Sequence, residues 1–140
     1  YLEASHICTK EQLYSGEIIL NDKLQDSVQK FCNQRMQGAP FQYIIQKSTF
    51  YGRDFYINKH TLIPRPETEV FIEHLKAHSF HTALEIGTGS GILAITLSLE
   101  KIVNKIIATD ISASALSVAK KNIDFFGGSG NSRHFRYLYK

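Results

Sequence analysis

The run Ala83-Leu84-Glu85-Ile86 followed by Gly87-Thr88-Gly89-Ser90-Gly91 constrains this chain more than any other stretch. A short apolar strand, three glycines at alternate positions and an apolar helix from Ile92 to Leu99 make a strand, turn and helix in sequence. The turn falls beyond the carboxyl end of a strand, where an α/β sheet binds its ligands. Glycines there permit positive φ and let a ligand approach main chain that a side chain would shield. The alternation continues: Lys105 to Asp110 predicts a strand, Ser112 to Phe126 a helix, and Arg136 to Tyr139 the start of a third strand. That order predicts a parallel sheet with right-handed crossovers.

Asp110 ends the second strand nineteen residues after Gly91, close to the ~20-residue offset of a carboxylate that binds ribose hydroxyls. A nucleoside-containing ligand follows from that pairing. A dinucleotide fingerprint spaces its glycines as GxGxxG and turns a helix N-terminus toward a pyrophosphate. Here the third glycine comes one residue early, and Glu85 precedes the turn by two. A carboxylate at that place repels a pyrophosphate but pairs with a cationic amino acid group. S-adenosylmethionine, with a ribose, a sulfonium and an α-ammonium, fits better than NAD. The competing reading of the loop alone is a purely structural glycine turn. Ser90 lacks the Gly-x-Ser-x-Gly elbow of a nucleophile and is expected to cap the helix that begins at Ile92.

Ahead of the sheet the pattern is helical. Thr9 to Ser15 predicts a short helix capped by Thr9 and ended by Gly16. From Asn21 to Gly38 the residues Leu24, Val28, Phe31, Cys32 and Met36 share one helical face, with Asn21 or Asp22 as cap and Pro40 just beyond the end. Two short helices do not bury their apolar faces alone, so residues 1–40 read as the remnant of a small bundle. Tyr43-Ile44-Ile45, Phe50-Tyr51 and Phe55-Tyr56-Ile57, with Gly52 between them, favour a β-hairpin or two short strands over residues 41–65. Pro64 and Pro66 fix an extended entry to residues 66–140, and Pro66 suits the first turn of a helix carrying Val70, Phe71, His74 and Leu75.

Composition narrows the class. The chain has 140 residues, 43% hydrophobic and 21% charged, with 16 Lys+Arg against 13 Asp+Glu and a net charge of +3. This is ordinary globular composition at a length that suits one domain and excludes a complete large enzyme. No apolar run reaches a membrane span and no leader pattern is visible, so a soluble, intracellular protein is expected. The positive charge is too small and scattered to point to nucleic acid. Cys8 and Cys32 have no metal spacing and are expected as reduced thiols in helices. His74 and His78 stand four apart with no third ligand, so no metal site is expected. The first residue is Tyr1 rather than Met, which points to a processed, trimmed or incomplete N-terminus.

Three stretches together resemble the glutamine methyltransferases of peptide-chain release factors (HemK/PrmC type). Arg35-x-x-Gly38-x-Pro40-x-Gln42-Tyr43-Ile44, Phe50-Tyr51-Gly52 with Phe55, and Leu62-Ile63-Pro64-Arg65-Pro66-Glu67-Thr68-Glu69 are similar to that family's linker hairpin and its entry to the catalytic domain. Glu85-x-Gly87-Thr88-Gly89-Ser90-Gly91 and Asp110-Ile111-Ser112-x-x-Ala115-Leu116-x-x-Ala119-x-x-Asn122 are similar to its cofactor motifs. The resemblance implies an incomplete Rossmann-like, class I S-adenosylmethionine-dependent methyltransferase sheet, preceded by helices of an N-terminal substrate-recognition bundle and a β-hairpin linker. It implies methyl transfer from S-adenosylmethionine to the amide nitrogen of the glutamine in a release factor's Gly-Gly-Gln motif, in the cytoplasm, or in an organelle if the source is eukaryotic. Glu85, Gly87, Thr88, Gly89, Ser90 and Gly91 would line the cofactor, Asp110 would bind its ribose and Ile111 would pack near its adenine. Arg65 and Thr68 would close over it. For Arg65 a salt bridge to Glu67 or Glu69 is the alternative.

Two departures stand out. Gln46 occupies a position that is usually glycine in the family's Gln-Tyr-Ile-x-Gly run. The family positions its substrate amide with an Asn-Pro-Pro-Tyr motif after a later strand, whereas the prolines here are Pro40, Pro64 and Pro66 and none follows an asparagine. The chain is therefore expected to carry half of a cofactor cleft, no catalytic residue of its own, and doubtful activity as it stands. The other readings are a nucleic-acid amino-methyltransferase, a dinucleotide-dependent oxidoreductase and a non-catalytic remnant.

Overall fold

The computed structural model describes residues 8–16, 21–127 and 135–139. The chain divides into two compact units, Tyr1–Gln46 and Lys47–Lys140.

In the first unit α1 (Lys10–Ser15) opens on a reciprocal cap. The Thr9 hydroxyl accepts the Gln12 N–H at 3.2 Å, and the Gln12 side-chain oxygen accepts the Thr9 N–H at 3.0 Å. Cys8 precedes that cap and so lies outside the helix expected for it. Helix α2 (Asp22–Met36) starts at Asn21, whose side chain accepts the Leu24 N–H at 2.9 Å. Of its expected apolar face only the first half packs: Leu24 is buried and Val28 and Phe31 are half-buried, while Cys32 and Met36 are exposed.

Helix α3 (Phe41–Ile45) replaces the extended segment expected from Tyr43-Ile44-Ile45. The Pro40 carbonyl accepts the N–H groups of Tyr43 and Ile44 at 3.1 and 3.2 Å, which starts a helical turn. Phe41 then meets Phe31 edge to face at 6.0 Å. Packing against α2 outweighs the β-propensity of Tyr and Ile. Gln46 ends α3 in the left-handed region, φ 54 and ψ 32, a place that favours glycine. Gln46→Gly is expected to stabilise the protein by ~1 kcal/mol, from relief of left-handed strain less the entropy of the freer unfolded chain. Chemical denaturation checks this, and an unchanged or lowered midpoint would refute it.

The second unit begins with a hairpin, β1 (Lys47–Phe50) and β2 (Arg53–Tyr56), paired antiparallel. Its two-residue turn places Tyr51 at φ 51 and Gly52 at φ 71, the pattern of a type I′ turn. Tyrosine is unfavourable there, and neighbours hold it. The Tyr51 N–H donates to Glu69 at 2.8 Å, the phenol donates to Glu73, and Lys76 Nζ lies 4.8 Å from the ring centroid. These contacts fasten the hairpin tip to α4 (Glu67–Leu75). On the other side Phe50, Phe55 and Ile57 are fully buried, and Phe55 lies 4.7 Å from Phe126. Helix α4 turns Ile72 inward, with Thr68, Glu69 and Leu75 half-buried. The helix carries Val70, Phe71, His74 and Leu75 as expected, but Val70, Phe71 and His74 are exposed, because the packed face takes 68, 72 and 75 together.

The sheet has three parallel strands in the order β3 (Phe80–Ile86), β4 (Val103–Asp110) and β5 (Phe135–Tyr139). Between them run α5 (Ile92–Leu99) and α6 (Ala113–Gly127). Ile92, Ala94, Ile95 and Leu97 of α5, Ile106 and Ala108 of β4, and Ala115, Val118, Ala119 and Ile123 of α6 make the core. The register sets Glu85 opposite Ala108 and Ile86 opposite Thr109, so β3 and β4 end side by side. Both strands deliver their last side chains to one edge of the sheet. The Gly/Ser-rich stretch from Gly127 to Ser132 predicts a turn; Gly127 belongs to α6 and the rest lies outside the described residues. No helix among the described residues is long and apolar enough to cross a membrane.

Candidate functional site

The carboxyl end of β3 supplies Glu85, the loop after it Gly87 to Gly91, and the carboxyl end of β4 Asp110. Main-chain bonds close the loop onto β4. The Gly87 and Thr88 N–H groups both donate to the Thr109 carbonyl, at 2.8 and 2.9 Å, and the Thr109 hydroxyl donates to the Glu85 carbonyl at 3.0 Å. Asp110 then shapes two segments: one carboxylate oxygen accepts the Gly89 N–H at 2.8 Å and the other accepts the Ser112 N–H at 2.9 Å. The strand-end carboxylate therefore fixes the glycine turn and the entry to α6.

Glu85 accepts a hydrogen bond from the Thr88 hydroxyl at 2.8 Å. Burial pushes its carboxyl above the usual carboxylate range, and the nearby negative charge of Asp110 adds to the rise. Bonds from the Thr88 hydroxyl and the Ala94 N–H, in the first turn of α5, oppose it. Among the described residues neither Glu85 nor Asp110 has an ion-pair partner. Two carboxyls at one turn without a cation make a place for a positively charged group.

The three glycines have φ of 76, 58 and 77 and divide into two kinds. A Cβ at Gly87 or Gly89 would meet nothing within 4 Å. At Gly91 it would stand 3.2 Å from the Ala119 Cβ and 3.4 Å from the Ile95 Cδ1. The first two leave main chain open to a ligand; the third lets α6 approach the turn. Thr88 and Ser90 are buried. Ser90 does not cap α5, contrary to expectation: Gly91 takes the cap position, its carbonyl accepts the Ile95 N–H at 2.9 Å, and no side chain caps by hydrogen bond. The left-handed turn at Gly91 swings Ser90 inward.

Ile111 is 88% exposed just past the end of β4, and Ile86 is 82% exposed at the end of β3. Arg65 is exposed and Thr68 half-buried, and the Thr68 N–H donates to the Arg65 carbonyl at 3.0 Å at the start of α4. No hydrogen bond among the described residues joins either one to Glu85, the glycine turn or Asp110. The alternative salt bridge from Arg65 does not form, and Glu69 binds the Tyr51 N–H instead. His74 donates from Nδ1 to the Val70 carbonyl at 2.8 Å, while His78 lies past the end of α4 with its ring 6.0 Å from Phe80. No group of three metal-ligating side chains occurs among the described residues.

Two residues of the site escape composition and spacing. Thr109 receives two turn amides on its carbonyl and bonds Glu85 with its hydroxyl. Asn122 is buried on α6 and bonds both Tyr56 and Ser90. For the latter the signals were its place at the end of the stretch that resembles a cofactor motif and a polar residue three positions after Ala119 on the core face of α6.

The sequence pattern of the methyltransferase small domain family matches residues 66–134. A release factor glutamine methyltransferase of Chlorobaculum tepidum is 42% identical over 132 residues, covering 87% of this chain and 45% of that protein. The protein of the same name in Staphylococcus aureus is 49% identical over 94 residues, covering 65% of this chain and 34% of its own length. Among solved structures, a methyltransferase from Geobacter sulfurreducens in complex with S-adenosyl-L-homocysteine matches 54% of this chain and 29% of its own, at 17% identity and a TM-score of 0.44. The chain spans less than half the length of the two sequence relatives. Glu85, the glycine turn, Asp110 and the parallel strands that carry them all lie in the stretch that matches the methyltransferase small domain, and the chain is similar in sequence to the release factor glutamine methyltransferases.

Proposed function

We propose that this chain supplies the S-adenosylmethionine half of a methyl transfer to the amide nitrogen of the glutamine in a release factor's Gly-Gly-Gln motif. The observation that carries the reading is the open face of Gly87 and Gly89 between two carboxyls that lack a cation. Glu85 suits the α-ammonium of the cofactor. Asp110 accepts two main-chain N–H groups, and a carboxylate has about four acceptor positions, so it can still take ribose hydroxyls. Ile111 offers an exposed apolar surface for the adenine. Arg65 and Thr68, at the start of α4, are the residues that would close over the bound molecule. When bound, the cofactor supplies an electrophilic sulfonium methyl. An amide nitrogen is a poor nucleophile and must be aligned with that methyl. No residue of this chain is assigned that task. In this reading residues 1–40 belong to a substrate-recognition domain, 41–65 to a linker hairpin and 66–140 to the front of the catalytic domain, at work in the cytoplasm.

Calorimetric titration of the full-length protein with S-adenosylmethionine tests the site. Asp110→Ala is expected to weaken binding about tenfold, the ~1.4 kcal/mol of one lost charge-assisted contact. Unchanged affinity would remove Asp110 from the cofactor site. Transfer of a labelled methyl group to a release factor, and not to RNA, tests the substrate; labelling of RNA alone would replace the proposal with a nucleic-acid amino-methyltransferase.

A further inference from the structure

The Asn122 side chain makes three hydrogen bonds to two segments far away in sequence. Its oxygen accepts the Tyr56 N–H at 2.8 Å, and its amide nitrogen donates to the Tyr56 carbonyl at 2.9 Å and to the Ser90 carbonyl at 2.8 Å. Toward Tyr56 the carboxamide behaves as a peptide group of a neighbouring strand would, binding both main-chain groups of the last residue of β2. Its second N–H reaches the residue between Gly89 and Gly91. Asn122 is 2% exposed, so these are bonds that water does not replace cheaply.

One turn of α6 back, Ala119 abuts Gly91, where a Cβ would come within 3.2 Å. Ala119 and Asn122 therefore hold the last two residues of the glycine turn, one by contact and one by hydrogen bond. We infer that Asn122 is a positioning residue that ties the β1–β2 hairpin to the glycine turn and so sets the turn's affinity for its nucleoside ligand. The inference rests on the cofactor reading above only for the identity of that ligand. The coupling is reciprocal: a ligand that orders the turn also orders the end of β2, and a disturbance of β2 reaches the turn through one side chain.

Asn122→Ser and Asn122→Asp in the full-length protein test this against Ile123→Ala. Ile123 is a buried neighbour on α6 and is not among the residues that Gly91 meets. Amide hydrogen exchange without ligand is the first readout. Both Asn122 variants are expected to raise exchange at residues 56 and 87–91 about tenfold more than in the interior of α5, the ~1.4 kcal/mol of a lost buried hydrogen bond. Ile123→Ala is expected to act evenly across the unit. The second readout is titration with S-adenosylhomocysteine, with affinity about tenfold lower in the Asn122 variants and unaltered in Ile123→Ala. Exchange and affinity that change no more in Asn122→Ser than in Ile123→Ala would overturn the inference and leave the cofactor reading intact. Local exchange as expected, in a wild-type protein that binds no S-adenosylhomocysteine, would uphold the clamp and overturn the cofactor reading.

Discussion

Gly91→Val is expected to lower the unfolding free energy by about 3–4 kcal/mol, most of the stability margin of a small domain. Two costs add. A β-branched residue at φ 77 is a backbone outlier, and left-handed geometry costs ~1–2 kcal/mol. The new side chain also meets Ala119 and Ile95, whose atoms would lie 3.2 and 3.4 Å from the Cβ alone, and overpacking of this kind costs ~1–3 kcal/mol. Both neighbours sit on helices of the core and have little room to retreat. Urea denaturation measures the effect. A loss below ~1 kcal/mol would mean that α6 does not pack against the turn as described.

Smaller variants separate the two costs. Gly91→Ala keeps the backbone strain with only the Cβ contact, and pairing it with Ala119→Gly should recover the steric part in a double-mutant cycle. Gly89→Ala, with nothing within 4 Å of the added methyl, carries backbone strain alone. Its larger effect is expected on ligand affinity, since the methyl occupies the open face of the turn. Loss of stability at Gly91 and loss of binding at Gly89 would then mark the two functions of one motif.

How much of this was legible in the sequence differs by element. Helix α5, from Ile92 to Leu99, falls where a mostly apolar run between a glycine turn and Glu100 places it. Strands β4 and β5 and helix α6 follow within a few residues, because Asp110 and Ser112 punctuate a clear change of period. The errors have tertiary causes. Tyr43-Ile44-Ile45 has the composition of a strand but follows Pro40, and Phe41 gains an aromatic partner on α2 only if the segment coils. Ser90 has the chemistry of a cap, yet the positive φ of Gly91 places it one residue too early to serve. That Glu85, the glycines and Asp110 come together was legible from their spacing at the ends of two consecutive predicted strands. Which glycine leaves its main chain open and which abuts a helix was not visible, since all three look alike until α6 is in place. The role of Asn122 was hidden for a similar reason: its partners, Tyr56 and Ser90, are 66 and 32 residues away.

Glu85→Gln is expected to weaken S-adenosylmethionine binding by roughly 30-fold at neutral pH, about 2 kcal/mol for a partly buried, charge-assisted contact. Its pH dependence is the sharper test. Without ligand, burial and the charge of Asp110 raise the Glu85 carboxyl, so the folded protein holds a proton there that the unfolded chain has already lost. Relative to its ionised form, the protonated Glu85 contributes stability that is present below the ordinary carboxylate pKa and is lost as pH rises through the raised folded value. Above that window the ionised, desolvated carboxylate is a cost to the fold, and Glu85→Gln should be the more stable protein there. Binding reverses the sign. An ammonium placed beside Glu85 favours the ionised form and lowers the carboxyl again, so the ligand expels the proton it finds. Affinity in the wild type should therefore rise with pH across the window, with proton release visible as a buffer-dependent heat of titration, and both signals should vanish in Glu85→Gln. A variant that binds as tightly as the wild type and keeps the same slope would show that the ammonium is held elsewhere. The desolvated carboxyl of Glu85 would then serve only the Thr88 hydroxyl and the start of α5.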